Sequence, residues 1–170
     1  MNLVTALALV IGALAVLITW LFFGPLSGMG LSLWAAFIAW GSFFHSGGGE
    51  AGLKNSLLAA IWGAICATLA FVLLSSGALG GLGSLAAPVA VGATVALMIL
   101  GAHIPLFSVI PAAVYGYAST AAFTLLMGDK AVTLGSSIAS SPILNVIVSM
   151  VIGGLFGYVS EKIATSLAAK

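Results

Sequence analysis

The sequence predicts an all-α integral membrane protein: six transmembrane helices forming two inverted three-helix repeats, with spans 2 and 5 short or broken. Three observations predict it. Hydrophobic residues make up 62% of the 170 positions and charged residues 4%, at a mean hydropathy of +1.32, whereas a soluble domain carries about 25% charged residues. Glycine and proline divide the chain into six apolar runs. The second and third of these runs recur, in degenerate form, as the fifth and sixth.

The charges are Glu50, Lys54, Asp129, Lys130, Glu161, Lys162 and Lys170, too few to cover a water-facing surface, so the lipid bilayer is the first expected partner. A net charge of +1 leaves no basic footprint, and no nucleic-acid partner is expected. Arginine is absent, so bidentate clamps for phosphate or carboxylate are missing. The one cysteine, Cys66, lies inside an apolar run and has no partner for an intrachain disulfide.

Span 1 is expected over about 3–23, ended by Gly24-Pro25. It matches the ~20 apolar residues that cross hydrocarbon and exceeds the shorter apolar core of a signal peptide, and no basic stretch precedes it. Span 2, about 31–46, is entered through residues 27–30 (SGMG) and left through three glycines, 47–49. At 1.5 Å per residue it reaches about 24 Å, short of the ~30 Å hydrocarbon core. Span 3 is expected over about 53–75 and span 4 over about 86–102, with a glycine-rich connection at 77–83 between them. Span 5, about 106–127, is interrupted by Pro111, and span 6 runs over about 141–160 to Glu161-Lys162. Short or interrupted spans at matching places in two halves point to a binding site in transporters. A continuous helix with protein-buried irregular backbone is the alternative.

The repeat rests on paired residues. One constant offset aligns Ala35 with Ala112, Ala39 with Gly116, Trp40 with Tyr117, Gly41 with Ala118 and Ser42 with Ser119. A second aligns Asn55 with Asn145, Ala59 with Ser149, Gly63 with Gly153 and Ala67 with Gly157. The change of offset means a longer loop at 128–140. One membrane domain over 1–170 follows, with repeat one at about 1–83 and repeat two at about 84–170. Three spans per half invert the second half, relating the two by a pseudo-twofold axis in the membrane plane. Lys54, Lys162 and Lys170 then share the cytoplasmic side with both termini, opposite Lys130, by the positive-inside rule. Dual topology stays open.

The stripes Ala59-Gly63-Ala67 and Ser149-Gly153-Gly157 allow close backbone approach. So do Ala35-Ala39-Ser42 and Ala112-Gly116-Ser119. The plain expectation is that spans 2 and 3, and spans 5 and 6, pack through them; a narrow lumen along one edge can coexist with that packing.

No catalytic or phosphate-binding motif is present, so no enzyme activity and no cofactor are expected. Two histidines with few acids make no metal site. His45 lies five residues before Glu50, a candidate pH-sensitive pair, against the simpler reading of a histidine bonding backbone at a helix end; His103, before Pro105, is read the same way. The membrane core itself contains no predicted charge, which argues against energised transport and leaves passage of something small and neutral, or backbone-lined passage of an ion. The candidate pathway residues are Trp40, Ser42, Asn55, Tyr117, Ser119, Asn145 and Ser149, with His45, Glu50 and His103 secondary. Trp20, Trp34 and Trp62 suit an interfacial belt.

The aromatic run WAAFIAWGSFF, the GGG turn and the Asn-led third helix resemble the YcdZ-like bacterial inner-membrane proteins, a domain-of-unknown-function family. The resemblance implies an inner-membrane location and no particular activity. The arrangement is also similar to urea-channel architectures, in which inverted halves place aromatic slots around a neutral solute; such likeness of arrangement carries no function. Two readings stand: a channel or facilitator for a small polar or neutral solute, as a homo-oligomer, and a non-transporting scaffold or accessory subunit.

Overall fold

The computed structural model describes residues 1–127, 135 and 137–168. Among them the chain is helical, without strands. Six α-helices form the body: α1 (Leu3–Phe23), α2 (Leu33–His45), α3 (Gly49–Ser75), α4 (Ala86–Leu100), α5 (Ile110–Met127) and α6 (Pro142–Ala168). Short 3-10 turns occupy Ser27–Met29, Gly80–Leu85, Gly101–His103 and Pro105–Phe107. Asp129, Lys130 and Lys170, and with them part of the charge pattern used for orientation, lie outside the described residues.

Five stretches are long and apolar enough to cross a membrane; α2, at 13 residues, is the short one. It rises about 20 Å, and the chain closes it with three successive glycines in the left-handed region, Gly47 to Gly49. The expectation of a broken span 5 is corrected: Pro111 is the second residue of the 18-residue α5, the first turn, where a missing N–H costs nothing. Two other boundaries differ. Helix α3 begins four residues earlier than its apolar run, and α6 continues past Glu161-Lys162 to Ala168. Charge marks where hydrocarbon ends, and a helix can run on beyond that point.

The partners of the small-residue stripes are also corrected. The most extensive packing joins α3 with α5 and α2 with α6, while the sequence neighbours α2 and α3, and α5 and α6, touch far less. A Cβ on Gly63 would collide with the Ala113 carbonyl, one on Gly116 with the Ala60 carbonyl, and one on Gly153 with the Ala36 carbonyl. These backbones meet because no side chain stands between them, the dispersion-driven packing that replaces hydrophobic sorting in lipid. Each major contact therefore joins an element of residues 1–83 to one of residues 84–170, and neither half could bury its stripes alone.

The α2–α6 pair runs in one direction, as a ladder of contacts shows. Ser32 meets Asn145 and Ser149, Trp40 meets Ser160, and Gly49 meets Glu161. Helix α1 lies antiparallel to α6, with Ala6 and Val10 against Ala164 and with Ile18 and Phe22 in the cluster of Ala36 and Trp40. Helix α4 covers α3: the Trp62 indole N–H donates to the Met98 carbonyl at 3.1 Å, and its ring stacks on Phe107 at 5.2 Å.

The polar end of the bundle is braced by Glu161. Its carboxylate accepts the Gly49 N–H at 2.8 Å, satisfying a donor at the open N-terminus of α3 where the helix dipole favours negative charge. Gly48, at φ 68°, has Glu161 pressed against the place a Cβ would take, so glycine is required twice over. Beside it the Tyr158 hydroxyl donates to Glu50 at 3.3 Å, and the Lys162 ammonium lies 5.2 Å from the Tyr158 ring centre. Glu161→Ala is expected to cost about 1 kcal/mol of stability, more at low than at high ionic strength. Denaturation at two salt concentrations checks it; equal stability of variant and parent in both would show the brace to be idle.

Candidate functional site

A cleft of about 650 Å³ lies between α2 and α5, the two helices that sit against opposite partners and barely touch each other. From α2 it is lined by Ile38, Gly41, Ser42 and His45, with Trp34 and Phe37 at its rim; from α5 by Tyr115, Ala118, Ser119 and Ala122. Both sets have the i, i+3, i+4, i+7 spacing of one helical face. They are also the same register: the offset that aligns Ser42 with Ser119 aligns Ile38 with Tyr115, Gly41 with Ala118 and His45 with Ala122.

The walls are mostly apolar and contain no Asp, Glu, Lys or Arg. Ser42 and Ser119 are 3% and 1% exposed, and neither hydroxyl has a hydrogen-bond partner among the described residues. A serine or threonine inside a helix ordinarily returns its hydroxyl to a preceding carbonyl, as Ser56, Thr68, Thr94 and Thr124 do here. The two cleft serines do not. Leaving a buried hydroxyl unpaired costs roughly 1–3 kcal/mol. Thr120 is a third such hydroxyl, but it lies outside the cleft lining.

One polar link crosses the cleft. His45 Nδ1 and the Tyr115 hydroxyl are 2.9 Å apart, joining the end of α2 to the first half of α5. The corresponding pair at the other end, Ile38 and Ala122, can form no such bond. The His45–Glu50 pair considered from sequence is not formed, because His45 bonds Tyr115 and Glu50 bonds Tyr158. His103 is exposed in a 3-10 turn and makes no side-chain hydrogen bond among the described residues.

The other sequence candidates are placed elsewhere. Trp40 is 3% exposed in the α1–α2–α6 core, its indole N–H donating to Ser160 at 3.0 Å and its ring stacked on Phe37. Tyr117 belongs to the α3–α4–α5 core, its hydroxyl 3.0 Å from that of Thr94. Each stands two residues from its neighbouring serine, and at 3.6 residues per turn that spacing sends the two side chains to nearly opposite sides of the helix. Asn145 is fully buried: its Oδ1 accepts from the Ser32 hydroxyl at 2.8 Å and its Nδ2 donates to the carbonyls of Gly30 and Ile138. Ser149 accepts the Ser32 N–H at 3.0 Å. Together they hold the chain entering α2 against the start of α6. Asn55 is half-buried on α3 and makes no side-chain hydrogen bond among the described residues. Of the seven leading candidates, the cleft brings together Ser42 and Ser119, joined by His45 from the secondary set. Gly41, Ala118 and Tyr115 were legible as further lining, since they share the serines' helical face.

Among the described residues no three His, Cys, Asp or Glu side chains gather as a metal site. A family model described as "Protein of unknown function (DUF1097)" matches residues 8–165. No curated protein and no solved structure matches the chain. The matched stretch takes in α2 to α5 whole and most of α1 and α6, both walls of the cleft included, and the chain belongs to the DUF1097 family.

Proposed function

We propose that this multi-pass membrane protein is a channel or facilitator of the bacterial inner membrane, passing a small uncharged solute along the α2–α5 cleft. One observation carries the reading: two buried serine hydroxyls without partners among the described residues, at the same register of two helices, lining a cleft that contains no Asp, Glu, Lys or Arg. A path for an ion through hydrocarbon needs charge or exposed carbonyls. Here the lining main chain is helical and its carbonyls are engaged, which favours a neutral cargo and a passive mechanism, with no enzymatic step and no cofactor.

The inverted-repeat reading belongs to the same proposal. Exchanging α1 with α4, α2 with α5 and α3 with α6 maps the α3–α5 contact onto α6–α2, and α1–α6 onto α4–α3. It also maps the Gly63–Ala113 backbone contact onto Gly153–Ala36. In this reading α2 completes a sixth crossing despite its length, and the bundle end holding the start of α1, the 46–49 turn and the end of α6 is cytoplasmic, with Lys54 and Lys162 beside it. Assembly as a homo-oligomer would use outward apolar residues such as Val16, Trp20 and Phe23 of α1, which are 60–74% exposed.

Purified protein in vesicles is expected to raise the flux of at least one uncharged solute from a panel of urea, ammonia, short-chain acids and small alcohols. That increment should fall at least tenfold in Ser42→Ala/Ser119→Ala, and likewise in Gly41→Leu. A Cβ on Gly41 meets nothing within 4 Å, so a larger side chain has room to start from this position of the cleft lining. No flux above empty vesicles for any member of the panel would overturn the reading. Recovery of a stoichiometric foreign membrane partner by crosslinking would then favour a scaffold.

A further inference from the structure

We infer that the ligand of the α2–α5 cleft is an uncharged amphiphile, an apolar body bearing one hydroxyl or carbonyl group, that enters sideways from the bilayer. This deepens the proposed function and rests on its choice of the cleft as the working site.

The hydrogen-bonding capacity of the site sets the class. Its polar side chains are Ser42, Ser119, His45 and Tyr115, with the Trp34 indole, and His45 and Tyr115 bond each other. The two serine hydroxyls, each one donor and two acceptor positions, have no partner among the described residues. Urea carries four N–H donors and a carbonyl. Any of them that faced the apolar walls instead of a hydroxyl would give up water unpaired, at a cost of roughly 1–3 kcal/mol each. A ketone or quinone oxygen has two lone pairs and an alcohol one donor, so two serines can satisfy either completely.

Size and access agree with this class. A cleft of about 650 Å³ falls within the ~300–1,000 Å³ range of small-molecule pockets, far larger than urea or ammonia would fill. Trp34 and Phe37 at its rim and Ile38 in its wall are 37–41% exposed, apolar surface of the kind that suits lipid. Gly41 and Ala118, small residues beside the serines on the two lining faces, put little bulk next to their buried hydroxyls. An aliphatic or aromatic body would therefore rest on the rim while its polar group reaches the floor.

The test uses the full chain in lipid nanodiscs with a diazirine-bearing octanol as probe, adducts being mapped by mass spectrometry. Adducts are expected to concentrate on residues 34–45 and 115–122. They should drop at least fivefold in excess 1-octanol, in Ser42→Ala/Ser119→Ala and in Gly41→Leu, and should not change with urea or glycerol. The two kinds of variant keep the result readable should one of them fold poorly. Adducts spread over the outward faces of α1 and α4 without competition, or protection by urea equal to that by octanol, would overturn the inference. Serine-dependent urea flux without saturable labelling would overturn the amphiphile class and leave the transport reading standing. Saturable labelling with no flux of any solute would do the reverse.

Discussion

Gly153→Ala is expected to lower stability by about 3 kcal/mol or more and to broaden the protein's elution in mild detergent. The added methyl would fall on the Ala36 carbonyl, part of a helix backbone that cannot rotate away as a side chain would. The α2–α6 pair can accept it only by moving apart, which also loosens Trp40 on Ser160 and Gly157 on the Phe43 ring. Gly63→Ala and Gly116→Ala should behave alike on α3–α5, where the Ala113 and Ala60 carbonyls stand in the way. The matched controls are Gly12→Ala and Gly92→Ala, where a Cβ meets nothing within 4 Å. There alanine should be neutral or stabilising by up to about 1 kcal/mol, the ordinary helix preference over glycine. Denaturation of the five variants in one detergent separates the cases, and Gly153→Ala unfolding together with Gly12→Ala would remove the basis for the α2–α6 contact.

Asn145→Leu should cost about 2–3 kcal/mol, whereas Asn55→Leu should cost under about 1 kcal/mol. The leucine has the amide's branched outline, a larger volume and none of its polar atoms. It would strand the Ser32 hydroxyl and the Gly30 and Ile138 carbonyls, three groups now held by one buried side chain. Asn55 has no comparable set of partners among the described residues. The sequence pairs these asparagines as equals, so similar losses from the two substitutions would restore that equality and count against the brace seen here. Expression yield and unfolding in mild detergent are sufficient readouts, and the same pair of variants in the flux assay tells loss of fold from loss of path.

The two serines illustrate how a site can be half visible in a sequence. Ser42 and Ser119 correspond under one offset in the sequence, and Ile38, Gly41, Ser42 and His45 have the spacing of one helical face. Trp40 and Tyr117 were drawn into the same candidate pathway because they too align. Alignment reports which residues correspond; only the 100° step per residue reports which way they point. Applied strictly, that step separates the aromatics from the serines before any coordinates are known. His45 could not be assigned by either rule. Its partner Tyr115 is 70 residues away and Glu50 only five, so proximity in the chain favoured the bond that does not form.

By itself the sequence determined the medium, the helices and the stripes. A composition of 4% charged residues leaves no alternative to lipid, and in lipid an unpaired backbone forces helix. Glycines at four-residue intervals state that another backbone comes close. Which backbone it is was decided only by the tertiary structure. A small-residue stripe offers proximity to any helix of suitable path, so it specifies a distance and carries no address. The address came from the short α2, which lies parallel to α6 with Ser32, Trp40 and the 46–49 turn all finding partners along it. That choice carries α3 to α5, interleaves the two halves, and leaves α2 and α5 apart with the cleft between them.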